Sequence, residues 1–256
     1  MDLNLELTME SGQPPHFIWN KEGSRYWRMV RGERVEVWME DGRLRCTDGF
    51  YEYASRLLRM DDNLEEIYRR IATDDVMKRA IASYRGLRIT RNDPWETLVC
   101  FICSINNNIP RIRRMVQSLM MEGEMMAPEE MRRKDLGRFG VGYRERYLKG
   151  CAEFAASCGL DWIKRMDYDA ARAELQRLPG VGPKVADCVL LFGFGFLEAF
   201  PVDVWIKRAM MRLYNAKSER DIQNKARERW GEYAGYAQQY LYCFARSGCA
   251  FQSSSS

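Results

Sequence analysis

Two charged residues have the types and placement to do covalent chemistry, Lys184 and Asp203. Lys184 lies in Leu178-Pro179-Gly180-Val181-Gly182-Pro183-Lys184-Val185-Ala186-Asp187-Cys188. Gly180 and Gly182 make a turn whose free N–H groups point outward at a helix start, a natural phosphate seat. A lysine in the first turn of the following helix meets the positive end of its dipole, so a merely solvated ammonium is disfavoured there. An amine held partly neutral is a nucleophile. Nineteen residues on, Phe200-Pro201-Val202-Asp203-Val204-Trp205 puts a carboxylate at a second helix start. Taken alone Asp203 reads as an N-cap. Paired with Lys184 after a tight hairpin, it becomes a candidate partner of the amine.

The elements that must hold these groups are mainly helical. Ala171, Leu175 and Leu178 recur at helical spacing through Tyr168–Leu178. Pro179 stops that helix, Pro183 suits the start of the next, and Val204 to Tyr214 forms a third. Upstream, Asp93-Pro94-Trp95 signals a helix start. Leu98 to Ile105 is then apolar on every side, so this helix is expected at the centre of its domain. Asn106-Asn107-Asn108 ends it with turn chemistry, and Arg111 lies in the basic first turn of the next helix. Gly142-Tyr143-Arg144 is a turn that could project a ring and a guanidinium towards bases and phosphates, or pack on the surface. Aromatics of the last helix, around Tyr236 to Tyr242, read as core. Residues 1 to about 48 read as strands: Tyr26–Val30, Arg34–Glu40 with period two, the Asp41-Gly42 hairpin signal, and Arg43–Cys46. Ser11 to Pro15 reads as a loop with Gly12 as its turn glycine. The expected class is α+β, mainly α. It comprises an N-terminal antiparallel β domain (1–50), a helical region of two subdomains (51–252, hairpin at 178–184) and a flexible tail (253–256).

Composition narrows the class. The chain has 256 residues, is 46% hydrophobic and 30% charged, and carries a net charge of +4. Residues 1–50 hold seven Lys/Arg against nine Asp/Glu, so the helical remainder carries +6. That is a modest bias towards an anionic partner. No apolar run reaches the length of about 18 residues that a membrane span needs. The N-terminus has no signal-peptide pattern, so an intracellular protein with reduced thiols is expected. The eight cysteines are scattered, and the single histidine, His16, cannot make a metal site by itself.

The lysine hairpin followed by Val202-Asp203 resembles the helix-hairpin-helix DNA glycosylases. The resemblance narrows at Phe101-Ile102-Cys103-Ser104-Ile105-Asn106-Asn107-Asn108-Ile109-Pro110-Arg111-Ile112, which is similar to the signature of human-type 8-oxoguanine DNA glycosylases. Ser11-Gly12-Gln13, Gly142-Tyr143-Arg144, Val185-Ala186-Asp187-Cys188, Pro201-Val202-Asp203-Val204 and Ala234-Gly235-Tyr236-Ala237-Gln238 match further landmarks in the family's order. The resemblance implies a bifunctional glycosylase and AP lyase, a monomer acting on oxidised guanine in double-stranded DNA. It implies Lys184 as nucleophile and Asp203 as the carboxylate that stabilises the positive sugar. It implies the Gly12 carbonyl as acceptor for the N7–H that only the oxidised base carries. Gln238 matches the reader of the base edge, and Cys188 and Tyr242 the residues that sandwich the base. Asn106, Arg111, Tyr143 and Arg144 match those that fill the void and read the widowed cytosine. No metal or other cofactor is required, although the hairpin carbonyls are expected to suit a monovalent cation. Of the four-cysteine pattern in endonuclease III-like relatives only Cys243-x5-Cys249 is present, so no iron–sulfur cluster is expected. Trp205 stands where the family usually has a histidine.

Two alternatives differ at named residues. A glycosylase of the same architecture for another lesion would differ at Gly12, Cys188 and Gln238. A silent DNA-binding module would keep the hairpin but have no need of both Lys184 and Asp203.

Overall fold

A computed structural model describes residues 2–251; the expected tail lies outside the described residues. The chain opens with two short helices, α1 (Leu5–Glu10) and α2 (Pro14–Ile18). A four-stranded antiparallel sheet follows in the order β1 (Asn20–Glu22), β2 (Arg25–Val30), β3 (Glu33–Glu40), β4 (Arg43–Cys46). Next come α3 (Tyr51–Leu57), α4 (Leu64–Ile71), α5 (Asp75–Ser83), α6 (Pro94–Cys103) and α7 (Ile109–Ser118). A small hairpin, β5 (Met120–Met121) and β6 (Glu124–Met125), leads to α8 (Pro128–Met131), α9 (Glu145–Cys158) and α10 (Tyr168–Leu175). The last elements are α11 (Pro183–Val189), α12 (Val204–Leu213), α13 (Glu219–Trp230) and α14 (Ala234–Arg246). The mainly helical α+β architecture with a small N-terminal sheet is the expected one.

Period two sets the sheet's two faces. Tyr26, Arg28, Val35, Val37 and Leu44 face inward. Register pairs Tyr26 with Val37 and Arg28 with Val35. On the outer face Arg25 lies 4.2 Å over the Trp38 ring and Arg34 4.2 Å over Trp27, so stacked guanidiniums cover the indoles. The inward Arg28 is an exception to the apolar rule and is paired: its Nη1 donates to Glu96 Oε2 at 2.8 Å and its Nη2 to Oε1 at 2.5 Å. This two-pronged pair pins β2 to α6. Helix α6 is buried from Trp95 to Cys103 except Glu96, as its apolar composition predicts. It packs against α11 and α2. Tyr236 and Tyr240 of α14 are fully buried, and their hydroxyls bond to Asp62 Oδ2 at 2.6 Å and the Leu87 carbonyl at 2.8 Å. These aromatics are core, as expected.

The N-terminal segment corrects the sequence reading. Residues 5–10 and 14–18, read as strand and loop, are helical. Asn4 caps α1 by accepting from Leu7 N–H at 3.0 Å, and a Pro at the first turn opens α2. α1 is tied to the sheet, Glu10 accepting from Lys21 and Tyr26, and α2 to α7. Gln117 of α7 donates to the Phe17 and Ile18 carbonyls at 2.8 and 2.9 Å, and Arg113 Nη1 to the His16 carbonyl at 2.6 Å. Among the described residues no helix is long and apolar enough to cross a membrane, and the eight cysteines are unbridged, four of them buried.

Candidate active site

The hairpin forms as its composition dictates. Helix α10 ends at Leu175, Gly180 takes φ +79°, and Gly182 caps α11 with Pro183 at its first position. The turn sits on α9 at two close approaches. A Cβ on Gly180 would come within 2.5 Å of the Tyr147 ring, and one on Gly150 within 2.4 Å of Pro179. Only glycine accepts either approach. Asp187, on the inner side of α11, is a structural anchor: Tyr168 Oη donates to it at 2.8 Å, Arg172 Nε at 2.5 Å and Gln223 Nε2 at 3.2 Å. That network ties α11 to α10 and α13 and fixes the direction in which Lys184 leaves the helix.

Lys184 is half-buried. Its Nζ donates to Ser104 Oγ at 3.0 Å and lies 4.9 Å over the Phe101 ring. Ser104 in turn donates to the Phe101 carbonyl at 2.7 Å, so its lone pair is left to face the amine. Asp203 caps α12 by accepting from Trp205 N–H at 3.0 Å and Ile206 N–H at 2.8 Å. Burial pushes its carboxyl above the usual range, while the Ile206 N–H and the nearby Lys184 charge pull the other way. Burial also raises the Cys188 thiol to about 12, with the Lys184 charge opposing and Asp203 adding. The Tyr242 hydroxyl is likewise raised to about 12, first by burial, with Arg246 opposing and Asp203 adding. The fields of one carboxylate and one amine thus reach the same thiol, and that of the carboxylate the phenol as well. Lys184, Asp203, Cys188 and Tyr242 share one neighbourhood.

Gly12 closes on that neighbourhood from the N-terminal side. Its φ is +83°, and a Cβ there would lie 3.1 Å from Tyr242 Oη. Gln238 is buried; its Nε2 donates to the Pro201 carbonyl at 3.1 Å and its Oε1 has no partner among the described residues. An unpaired buried amide oxygen is costly unless something else supplies a donor.

The three asparagines divide their tasks. Asn106 is exposed at φ +47°. Asn107 Nδ2 donates to the Cys103 carbonyl at 3.1 Å, and Asn108 caps α7 by accepting from Arg111 N–H at 3.1 Å. Tyr143 is 48% exposed, and its Oη is 3.5 Å from Asn106 Nδ2. Arg111 is exposed. Arg144 is buried, donating through Nε to the Ile105 carbonyl at 3.1 Å and through Nη2 to the Asn106 carbonyl at 3.3 Å. Its charge is spent holding the asparagine turn. Trp205 is half-buried with Arg208 5.6 Å over its ring.

Four supporting residues escaped the sequence reading. Ser104 meets the amine across eighty positions. Gln13 is fully buried and links the Gly12 loop to Arg88 and Thr90. Gln239 donates to the Ser11 carbonyl at 3.0 Å, and His16 Nδ1 accepts from Gly12 N–H at 3.2 Å. Ser104 and Gln13 lie inside motifs that carry the family resemblance, but nothing in the sequence says what they, His16 and Gln239 would touch. A cleft of about 650 Å³ beside α1 and β1 holds none of the expected site residues. Its Lys21 and Arg85 are paired with Glu6, Glu10, Asp2 and Glu65. Among the described residues no three His, Cys, Asp or Glu side chains gather as a metal site.

Residues 1–98 match the family model of the 8-oxoguanine DNA glycosylase N-terminal domain, and residues 167–192 match the helix-hairpin-helix motif. The chain is 32% identical to the probable N-glycosylase/DNA lyase of Methanothermobacter thermautotrophicus, over 96% of this chain and 94% of that one. It is 29% identical to the N-glycosylase/DNA lyase of Arabidopsis thaliana, over 94% of this chain and 77% of that one. The 8-oxoguanine glycosylase/lyase of Clostridium acetobutylicum, solved with duplex DNA containing cytosine opposite 8-oxoguanine, superposes with a TM-score of 0.86 at 28% identity, covering 96% of this chain and 93% of that one. With its N-terminal domain and its helix-hairpin-helix matched and a 32% identical relative covering nearly its full length, the chain belongs to the 8-oxoguanine DNA glycosylase family of N-glycosylase/DNA lyases.

Proposed function

We propose that this enzyme excises 8-oxoguanine, preferably opposite cytosine, from duplex DNA inside the cell, and then nicks the strand through Lys184. The carrying observation is the convergence of Lys184 and Asp203 from two helix starts beside Cys188, Tyr242 and Gly12. The lesion must leave the stack, because C1′ cannot be attacked inside the duplex. Lys184 Nζ attacks C1′ and the base departs with the glycosidic electron pair. The sugar ring opens to a Schiff base on Lys184, and loss of the C2′ proton expels the 3′ phosphate. Asp203 acts as a fixed carboxylate facing the positive charge that develops on the sugar. Its N–H bonds hold it in place and favour its ionised form.

Recognition is divided between two ends of the site. The Gly12 carbonyl accepts from N7–H, which guanine lacks. The unpaired Gln238 Oε1 accepts from the donor edge of the guanine ring. Cys188 and Tyr242 enclose the base. At the opposite strand Asn106 and Tyr143 fill the vacated space and Arg111 reads cytosine, whose O2 and N3 accept; Arg144 supports the turn from behind. Gly180 and Gly182 present backbone N–H groups to a phosphate. The Leu178 and Pro179 carbonyls accept from Val181 N–H and Cys151 Sγ and each keeps a second lone pair. A monovalent cation fits those oxygens and would add positive charge beside the phosphate. The enzyme acts as a monomer.

Borohydride trapping tests the reading on an 8-oxoguanine:cytosine duplex beside undamaged and alkylated duplexes. A covalent adduct with the oxidised duplex alone, lost in Lys184→Gln while DNA binding persists, is expected. An adduct that survives Lys184→Gln refutes the nucleophile, and trapping on the alkylated duplex instead refutes the substrate.

A further inference from the structure

The Ser11-Gly12-Gln13 loop is anchored on both flanks. Gln239 holds the Ser11 carbonyl at 3.0 Å. Gln13 donates to the Arg88 carbonyl at 2.8 Å and Ser11 Oγ at 3.0 Å and accepts from Thr90 N–H at 2.8 Å. Between these anchors stands a glycine, the residue with the widest backbone freedom. Its N–H donates to His16 Nδ1 at 3.2 Å.

We propose that His16, through an unprotonated Nδ1, is a positioning residue that aims the Gly12 carbonyl and thereby sets discrimination of 8-oxoguanine from guanine. The proposal rests on the reading of the Gly12 carbonyl given above. The physical argument is one of donors and acceptors. Neutral imidazole can accept at Nδ1; imidazolium carries donors on both nitrogens. Protonation would set two donors face to face and drive the Gly12 peptide away from its position.

The surroundings guard the neutral form. His16 is held below its ordinary value first by burial, then by the charges of Arg246 on α14 and Arg113 on α7. Glu10 on α1 opposes them twice, through its carboxylate charge and through a hydrogen bond to its backbone. The Glu10 carboxylate, however, is already taken by Lys21 Nζ at 2.6 Å and Tyr26 Oη at 2.5 Å. Arg113 and Gln117 also root α2 on α7 through the carbonyls of His16, Phe17 and Ile18, so the imidazole sits on a rigid support.

The test compares binding of 8-oxoguanine:cytosine and guanine:cytosine duplexes in Lys184→Gln protein, where the nucleophile is removed. His16→Leu is expected to lower the ratio of the two dissociation constants by about tenfold, the scale of one lost neutral hydrogen bond. His16→Asn, whose Oδ1 takes the place of Nδ1, is expected to keep it. The parent's ratio should hold at neutral pH and fall in acid below the ordinary histidine value, whereas His16→Asn should show no such fall. Gly12→Ala is measured alongside. A collapsed ratio in Gly12→Ala with an unchanged ratio in His16→Leu overturns the role of His16. A preserved ratio in Gly12→Ala overturns the Gly12 reading itself. An acid-dependent fall in His16→Asn matching the parent's overturns the protonation argument even if His16→Leu proves unstable.

Discussion

At the scale of single residues, the site keeps a carboxylate where burial resists its charge. Because burial raises Asp203 above the usual carboxylate range, the folded protein binds that proton more tightly than the unfolded chain does. Ionised Asp203 therefore costs stability at neutral pH, and that cost disappears as pH falls through its folded value. Asp203→Asn keeps an N-cap acceptor and removes the buried charge. We expect it to abolish excision and raise the melting temperature; a lower melting temperature would show that the carboxylate is a net stabiliser. The acid limb of the wild-type excision rate should lie above the range of an exposed aspartate. Two arginines assigned to one task by resemblance should also separate. Arg111 is exposed, so Arg111→Ala should leave the melting temperature unchanged and cut the preference for cytosine over other opposing bases by roughly tenfold or more. Arg144 is buried on the Ile105 and Asn106 carbonyls. Arg144→Ala should cost about 1.5–3 kcal/mol in chemical denaturation, the scale of hydrogen bonds to a charged group.

At the scale of elements, legibility followed length and locality. The β3–β4 hairpin, the central helix α6 and the helix–turn–helix around Lys184 carry their signals within a few consecutive residues. Period two, Asp-Gly, Pro after an N-cap and paired glycines are all local. Helices α1 and α2 have six and five residues, too short to show a helical period. Gly12 with Pro14 and Pro15 also imitates a plain loop. Strands β5 and β6 have two residues each and left no trace in the pattern. Within the site, the spacing of Lys184 and Asp203 was readable, whereas Ser104, Gln13, His16 and Gln239 act through partners that only the tertiary fold brings near. The inward turn of Arg144 was equally hidden, since exposure is not a local property. The hairpin itself is testable as an element. Gly180→Ala must push a methyl into Tyr147 at a positive φ. We expect a loss of about 1–3 kcal/mol in stability and weaker binding to duplex DNA whether or not it is damaged; intact binding would remove the turn from the phosphate interface.

At the scale of the whole molecule, the sheet and the helical body are joined through a buried charge pair. Arg28 and Glu96 sit at 8% and 14% side-chain exposure, so each has little water to turn to if its partner is lost. Arg28→Met should cost about 3–5 kcal/mol, read as a shifted denaturation midpoint. Arg28→Met with Glu96→Leu should recover much of it, and a double variant no better than the single would mean that the pair does not act as a unit. The Ser11–Gln13 loop is joined to the body in another way, by Gln13 to the segment before α6 and by Gln239 to α14. That second tie has a consequence for the order of events on the ribosome. Ser11 and Gly12 are made early, yet part of their support arrives only with Gln239, 228 positions after Ser11. A nascent chain can therefore pair its sheet while the loop still lacks its second tie. On the reading of Gly12 proposed above, its loop is held on both flanks only once α14, itself a core element through Tyr236 and Tyr240, has docked.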